Sequence, residues 1–304
     1  MQPVPSELSL SWTWKCQPRS ARIRFREQFI LEKILLIVAF AHPIHCLELL
    51  RMSTIISLFN QAGGVGKTTL TQNLGYHLSL RGHRVLLLDI DPQASLTSFM
   101  GIDAESLEKT PFDALINEEP LFILENIYGM DLAPTNINLS AAEIQLVNLD
   151  FREIRLKEAL EPIKEKYNFI LIDCPPSLGL LSYTSLVAST HVLIPVETHF
   201  KAFQGTSLLL QTISKVRKRG NRSLMIAGFV PSRYAATNSQ DKRTLQAIKE
   251  QFGVVGTIYE PIPRATIFVD ASEEQVPLAI YDPKSPVLKI LDSLAANMEK
   301  LNES

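Results

Sequence analysis

The sequence predicts an α/β fold, a twisted and mostly parallel β-sheet flanked by helices. Three observations carry that prediction. Short apolar runs alternate with segments of helical spacing from Met52 onward, the rhythm of strands covered by helices on both faces. Two of those runs, Val85 to Asp89 and Phe169 to Asp173, are apolar until a terminal carboxylate, as expected where buried parallel strands deliver a functional group to their carboxyl edge. A further run, Thr54 to Phe59, leads into a glycine-rich loop and then into a helix whose Leu70, Leu74, His77 and Leu78 share a face. With 304 residues and 46% hydrophobic content, the chain can bury the core of one large domain.

Taken in order, the predicted strands are Thr54 to Phe59, Arg84 to Asp89, Met130 to Ala133, Phe169 to Asp173, His191 to Val196 and Met225 to Val230, with a short one near Thr257 to Tyr259. The helical patterns cover Lys67 to Leu80, Leu139 to Leu146, Phe151 to Lys166, Phe203 to Arg219, Ser239 to Phe252 and Pro286 to Leu301. The polar stretch Asp103 to Asn126 reads as an excursion that docks through Phe112, Leu115 and Ile116. No internal repeat or low-complexity segment interrupts the pattern.

Residues 1–51 do not fit it. They hold both tryptophans, Trp12 and Trp14, and two of the three cysteines, Cys16 and Cys46. The expectation is that they form a non-native or poorly ordered N-terminal extension, with Met52 opening the α/β domain that runs over 52–304. A targeting segment is the competing reading, since Ile34 to Ala41 is an unbroken apolar run, but it is far shorter than the roughly 20 residues of a membrane span. His42, His45 and Cys46 have no second ligand cluster at metal-site spacing. Charge divides unevenly, at +3 over residues 1–51 and −5 over the remainder, so nucleic-acid binding needs a local basic patch. The body's lone cysteine, Cys174, excludes disulfides there and fits a reducing cytoplasm.

The loop Asn60-Gln61-Ala62-Gly63-Gly64-Val65-Gly66-Lys67-Thr68-Thr69 sits between strand and helix, the context a phosphate-binding loop requires. Its glycines let backbone N–H groups converge on phosphate oxygens, and the helix N-terminus adds partial positive charge. Lys67 then reaches the β- and γ-phosphates, and the Thr68 hydroxyl ligates Mg²⁺. The general pattern places glycine five residues before Gly66, where this chain has Gln61.

Asp89-Ile90-Asp91-Pro92-Gln93 places two carboxylates two residues apart at a strand exit, on the same side of the strand. One can organise Mg²⁺ and its waters while the other orients a water for in-line attack. Asp173 ends the other acidic strand and is expected at the Mg²⁺ hydration shell, with Pro175 and Pro176 stiffening the loop behind it. Cys174, with nothing nearby to activate it, reads as packing.

These motifs, with Met130 to Leu139, Ile262-Pro263-Arg264 and Tyr281 to Ser285, resemble the ParA/MinD group of P-loop NTPases over essentially all of Met52 to Leu301. The resemblance implies an ATPase using ATP and Mg²⁺, with Lys67 and Asp91 catalytic and Asp89 in support. It implies nucleotide contacts from Gly63, Gly64, Val65, Gly66, Lys67, Thr68 and Thr69, and from Pro263 and Arg264 over the base. Thr68, Asp89 and Asp173 form the metal set, partly through water. It further implies an ATP-dependent homodimer on nonspecific nucleoid DNA, with an adaptor that stimulates hydrolysis, McdB-like or ParB-like, and no membrane partner. Such a protein is cytoplasmic and nucleoid-associated.

One departure is specific. The group's first loop lysine, which crosses to the partner's nucleotide, is Ala62 here. The carboxysome-positioning McdA group resembles this chain in that loss, which favours carboxysome distribution over plasmid or chromosome partition. Lys201, beyond the His191 to Val196 strand and near a helix start, is the candidate to fill the vacancy. Lys215, Arg217, Lys218, Arg219 and Arg222 are the candidate DNA contacts, with Lys242 and Arg243 as an extension. A MinD-like membrane ATPase would need a basic amphipathic terminal helix, whereas Leu291 to Ser304 is slightly acidic. A nitrogenase-type relative would need cluster cysteines. A P-loop ligase would need an acceptor site that the sequence does not display.

Overall fold

A computed structural model describes residues 53–302, apart from the side chains of residues 200–204, 206 and 207. The expectation for residues 1–51 lies outside the described residues. In chain order the elements are β1 (Thr54–Leu58), α1 (Lys67–Leu80), β2 (Val85–Asp89), α2 (Ser95–Phe99), α3 (Pro111–Ile116), β3 (Leu124–Ile127), β4 (Met130–Ala133), α4 (Leu139–Leu146) and α5 (Arg155–Leu160). There follow β5 (Phe169–Asp173), α6 (Leu180–Ala188), β6 (His191–Glu197), α7 (Phe200–Arg219), β7 (Met225–Ser232), α8 (Ser239–Phe252), α9 (Ile267–Glu273), α10 (Leu278–Tyr281) and α11 (Leu288–Glu299).

Among the described residues, seven strands form one sheet in the order β3-β4-β2-β5-β1-β6-β7. All neighbours are parallel except the β3–β4 pair. The central strands are buried at every residue, which is why their sequences are continuously apolar: alternate side chains enter different cores. Ile55, Leu86, Leu88, Ile170, Ile172, Val192 and Ile194 pack beneath α3 to α8. Ile56, Leu58, Val85, Leu87, Phe169, Leu171 and Leu193 face α1 and α11. Each full burial of such a side chain contributes about 1.5–3 kcal/mol.

Three differences from the sequence reading have local causes. The single helix expected over Phe151 to Lys166 is broken: α5 stops at Leu160, flanked by short 3₁₀ turns at Arg152–Ile154 and Lys164–Lys166. Pro162 lacks the N–H that would continue the helix, so the helical run ends just after Glu161, which is itself still helical at φ −53° and ψ −44°. α6 went unread because Leu181, Ser182, Thr184, Ser185, Leu186, Val187 and Ala188 are all buried, so no polar face marks a helical period. The expected strand near Thr257 to Tyr259 is one parallel bridge, Phe229 with Ile258.

Candidate active site

β1 lies between β5 and β6, and the connections leave it in opposite directions, β1 to β2 across β5 and β5 to β6 across β1. The loop after β1 therefore occupies the switch point where open α/β sheets bind ligands. Gly64 (φ 72°) and Gly66 (φ 88°) adopt left-handed conformations that a side chain would strain. Gly66 caps α1 with no side-chain hydrogen bond to the helix, so the first-turn N–H groups face outward for an anion. Four side chains hold the loop. Asn60 Nδ2 donates to Pro195 O at 2.7 Å and its Oδ1 accepts from Ala62 N at 3.0 Å. Gln61 Nε2 donates to Gly205 O at 2.9 Å, Ser232 Oγ to Val65 O at 2.8 Å and Arg233 Nη1 to Gly64 O at 3.1 Å.

Parallel pairing sets Asp89 directly beside Asp173, because β2 and β5 are in register there. Asp89 is fully buried and its oxygens are already engaged: Oδ2 accepts Thr97 N at 2.9 Å and Thr97 Oγ1 at 2.7 Å, and Oδ1 accepts Asp91 N at 3.2 Å. Asp91 is 8% exposed, and its Oδ1 accepts Gln93 N at 3.0 Å. Lys67, 7% exposed, donates to Ala62 O at 3.2 Å. Beyond the loop a cavity of about 390 Å³ is lined by Gly64, Val65, Gly66 and Thr69 on one side and by Ile262, Pro263 and Arg264 on the other. The segment carrying Pro263 is held there by Ile262 N to Pro231 O at 2.8 Å and Arg264 N to Tyr234 O at 3.0 Å.

Residues 53–226 match a family model described as an AAA domain. The chain is 40% identical over 248 residues to the sporulation initiation inhibitor protein Soj of Bacillus subtilis, covering 80% of this chain and 97% of Soj. The chain belongs to the ParA/MinD-type ATPases. The chromosome partitioning protein ParA of Caulobacter vibrioides is 36% identical over 236 residues, 76% of this chain and 88% of that protein. Among solved structures, a cobyrinic acid a,c-diamide synthase from Mycobacterium smegmatis with bound ADP and magnesium superposes with a TM-score of 0.74 at 30% identity, covering 83% of this chain and 96% of that one. An ATP complex of a substituted McdA from Cyanothece shares the fold with a TM-score of 0.73 at 24% identity, over 82% and 97% of the two chains.

The donor set of this ParA/MinD-type site fits Mg²⁺. Asp173 Oδ2 is buried and without a hydrogen-bond partner, an arrangement that costs free energy unless a cation or its water completes it. The Thr68 hydroxyl stands beside that carboxyl and pulls its pKa down, although burial and Asp89 together raise it well above the ordinary carboxylate range. Burial lowers the pKa of Lys67, opposed by Asp173 and Asp91. Burial pushes the Cys174 thiol up to about 12, in agreement with a packing role.

The structure thus sets Asp173 and Asp91 near Lys67, with Asp173 beside Thr68 and Asp89, while Gly64, Val65, Gly66 and Thr69 line a cavity with Pro263 and Arg264. The Lys201 side chain lies outside the described residues, although its backbone is in the first turn of α7. Lys215, Arg217, Lys218, Arg219 and Arg222 are exposed at the far end of α7, which returns from the carboxyl edge of β6 to the amino edge of β7. Lys242 and Arg243 do not extend that cluster: α8 begins at the carboxyl edge after β7, so they sit at the opposite end of the sheet. Sequence reading missed Ser232 and Arg233, which grip the loop. Their position at a strand's carboxyl end was the available signal; the left-handed φ of 52° at Arg233 was not legible.

Two buried carboxyls predict an inverted pH response. Burial pushes Asp89 up to about 7 from an ordinary 3.8, against the pull of Thr97 and the Asp91 N–H. Between those values the folded, metal-free protein holds a proton that the unfolded chain has released. Stability is therefore fully present below about pH 4 and is lost as pH rises toward about 7, by up to about 4 kcal/mol. Asp173 adds in the same direction. Thermal melts without metal or nucleotide should show Tm falling across that window, and Asp89→Asn should flatten the slope. An equal slope in the variant would remove Asp89 as its source.

Proposed function

We propose that the chain is an ATP- and Mg²⁺-dependent switch that dimerises around bound nucleotide, holds nucleoid DNA without sequence preference, and positions cargo through an adaptor that stimulates hydrolysis. The observation that carries this is the placement of Asp91 and Asp173 near Lys67 of the loop, in a chain matching nearly the whole of Soj. In this reading Lys67 and the N–H groups of residues 63–69 bind the phosphates, and Pro263 and Arg264 cover the base. Thr68 and Asp173 hold the metal; Asp89, expected from the sequence in the metal set, has its oxygens taken up by Thr97 and the Asp91 N–H and instead fixes the turn that presents Asp91, and Asp91 orients the attacking water. Mg²⁺, when bound, supplies charge neutralisation on the phosphates.

For cargo, 36% identity to the chromosome partitioning protein ParA over 88% of its length favours plasmid or chromosome partition. Carboxysome distribution is the second reading, favoured by Ala62 in place of the loop lysine. A fluorescent fusion with a deletion separates them: plasmid or chromosome loss supports the first, uneven carboxysomes the second, and neither phenotype discards both. A ligase reading, favoured by the likeness to the Mycobacterium smegmatis synthase, predicts turnover only with a small-molecule acceptor. A MinD-like membrane role has less support because Leu291, Leu294, Ala295 and Met298 of α11 are buried, which commits that helix's apolar face to the core.

Dimerisation and DNA binding share one experiment. With ATP, the protein should run as a dimer retained on DNA, and Lys215→Glu with Lys218→Glu should lower the log–log salt slope by about one for each phosphate no longer neutralised. Lys201→Ala should raise the ATP concentration needed for the dimer. An unchanged slope discards the α7 cluster, and an unchanged ATP dependence discards Lys201.

A further inference from the structure

The loop from Pro175 to Gly179 follows Asp173 and Cys174 at the end of β5 and leads into α6. Its own tethers are long: Ser182 Oγ to Pro175 O and Gly179 N to Ser177 Oγ, both 3.4 Å. The short tie comes from elsewhere. Glu143 on α4, 37 residues away in sequence, accepts the Leu180 N–H through Oε1 at 2.9 Å. Gly179, the N-cap of α6, is extended and gives the helix no side-chain cap, so the Glu143 carboxylate takes the place of the missing cap. A Cβ at Gly179 would lie 1.8 Å from Glu143 Oε1. A side chain at 179 would therefore push the Glu143 carboxylate, the end of a flexible side chain, off its present position.

We propose that Glu143 is a positioning residue for the metal carboxylate: by capping α6 across Gly179 it holds the 175–179 loop in the register that leaves Asp173 open to Mg²⁺. This rests on the assignment of Asp173 to the metal. The carboxylate is half-buried, it accepts from the first N–H of α6, and charge-assisted capping of this kind is stronger than a neutral bond. Releasing it frees the loop at one end while β5 still fixes the other.

Three variants test it: Glu143→Ala, Glu143→Gln and Gly179→Ala. Amide hydrogen exchange on the metal- and nucleotide-free protein should accelerate roughly ten-fold at the Leu180 amide in Glu143→Ala. The glutamine variant should exchange between the wild type and Glu143→Ala, because its amide oxygen accepts the same N–H without the charge. Gly179→Ala should reproduce Glu143→Ala by displacing the carboxylate. In Mg²⁺ titrations of ATP turnover, Glu143→Ala and Gly179→Ala should both need roughly several-fold more Mg²⁺, with ATP binding measured without Mg²⁺ unchanged. Unchanged exchange in Glu143→Ala overturns the cap. Faster exchange with an unchanged Mg²⁺ requirement, in a protein whose Asp173→Asn form does need more Mg²⁺, overturns the positioning role alone. If Asp173→Asn itself leaves the requirement unchanged, the metal assignment falls, and the positioning role with it.

Discussion

Replacing Asp91 with alanine should leave ATP bound and slow its hydrolysis by about 10²–10⁴-fold, the range expected when a positioned base is removed. The geometry predicts this separation of binding from turnover. Asp91 is on the turn that β2 delivers to the crevice, and among the described residues its carboxylate makes one hydrogen bond, from the Gln93 N–H. Truncation therefore costs the fold about 1 kcal/mol. Asp91→Asn keeps that bond through its amide oxygen but lacks the basic oxygen, so it should be equally slow and fold like the parent. Single-turnover release of phosphate, with nucleotide retention measured alongside, decides the matter; wild-type turnover in Asp91→Asn would end the assignment.

The contrast with Asp89 makes the prediction specific. Two residues away in sequence, that carboxylate accepts three hydrogen bonds in a fully buried site. Asp89→Ala leaves those donors without a partner, at about 1–3 kcal/mol for each one left buried. One carboxylate of the pair is therefore expected to fail in the melt, and the other in the rate.

Most of the crevice was legible because its residues obey rules of local sequence. A glycine-rich loop between strand and helix, and carboxylates at the ends of apolar strands, place Gly63 to Thr69, Asp89, Asp91 and Asp173 without tertiary information. The α1, α4 and α8 ranges matched their predicted spans, α8 with Leu245, Ile248 and Phe252 buried along one face. What escaped depends on contacts distant in sequence. Ser232 reaches Val65 across 167 residues and Arg233 reaches Gly64 across 169; Glu143 and Leu180 are coupled only because α4 packs near α6. Burial erased the signal for α6, and Pro162 was in plain view but outweighed by the surrounding helical pattern.

Lys67 is where burial and function oppose each other most strongly, and its removal should have the larger effect on nucleotide affinity. The residue is 7% exposed at the start of α1, and burial lowers its pKa while Asp173 and Asp91 raise it. Keeping a charge there is worthwhile only if an anion arrives, since a buried cation satisfied by one carbonyl, Ala62 O at 3.2 Å, has lost most of its hydration. Lys67→Met fills similar volume without that charge. It should weaken ATP binding by about 10²–10³-fold, the loss of charge-assisted bonds to phosphate, while the unliganded protein remains folded. Lys67→Arg is the sharper control: it keeps the charge, but its planar fork needs room that a nearly enclosed site lacks, so it should not restore affinity. Calorimetric titration of the three proteins with Mg·ATP measures both effects. Wild-type affinity in Lys67→Met would mean that the phosphates are held by the backbone N–H groups alone.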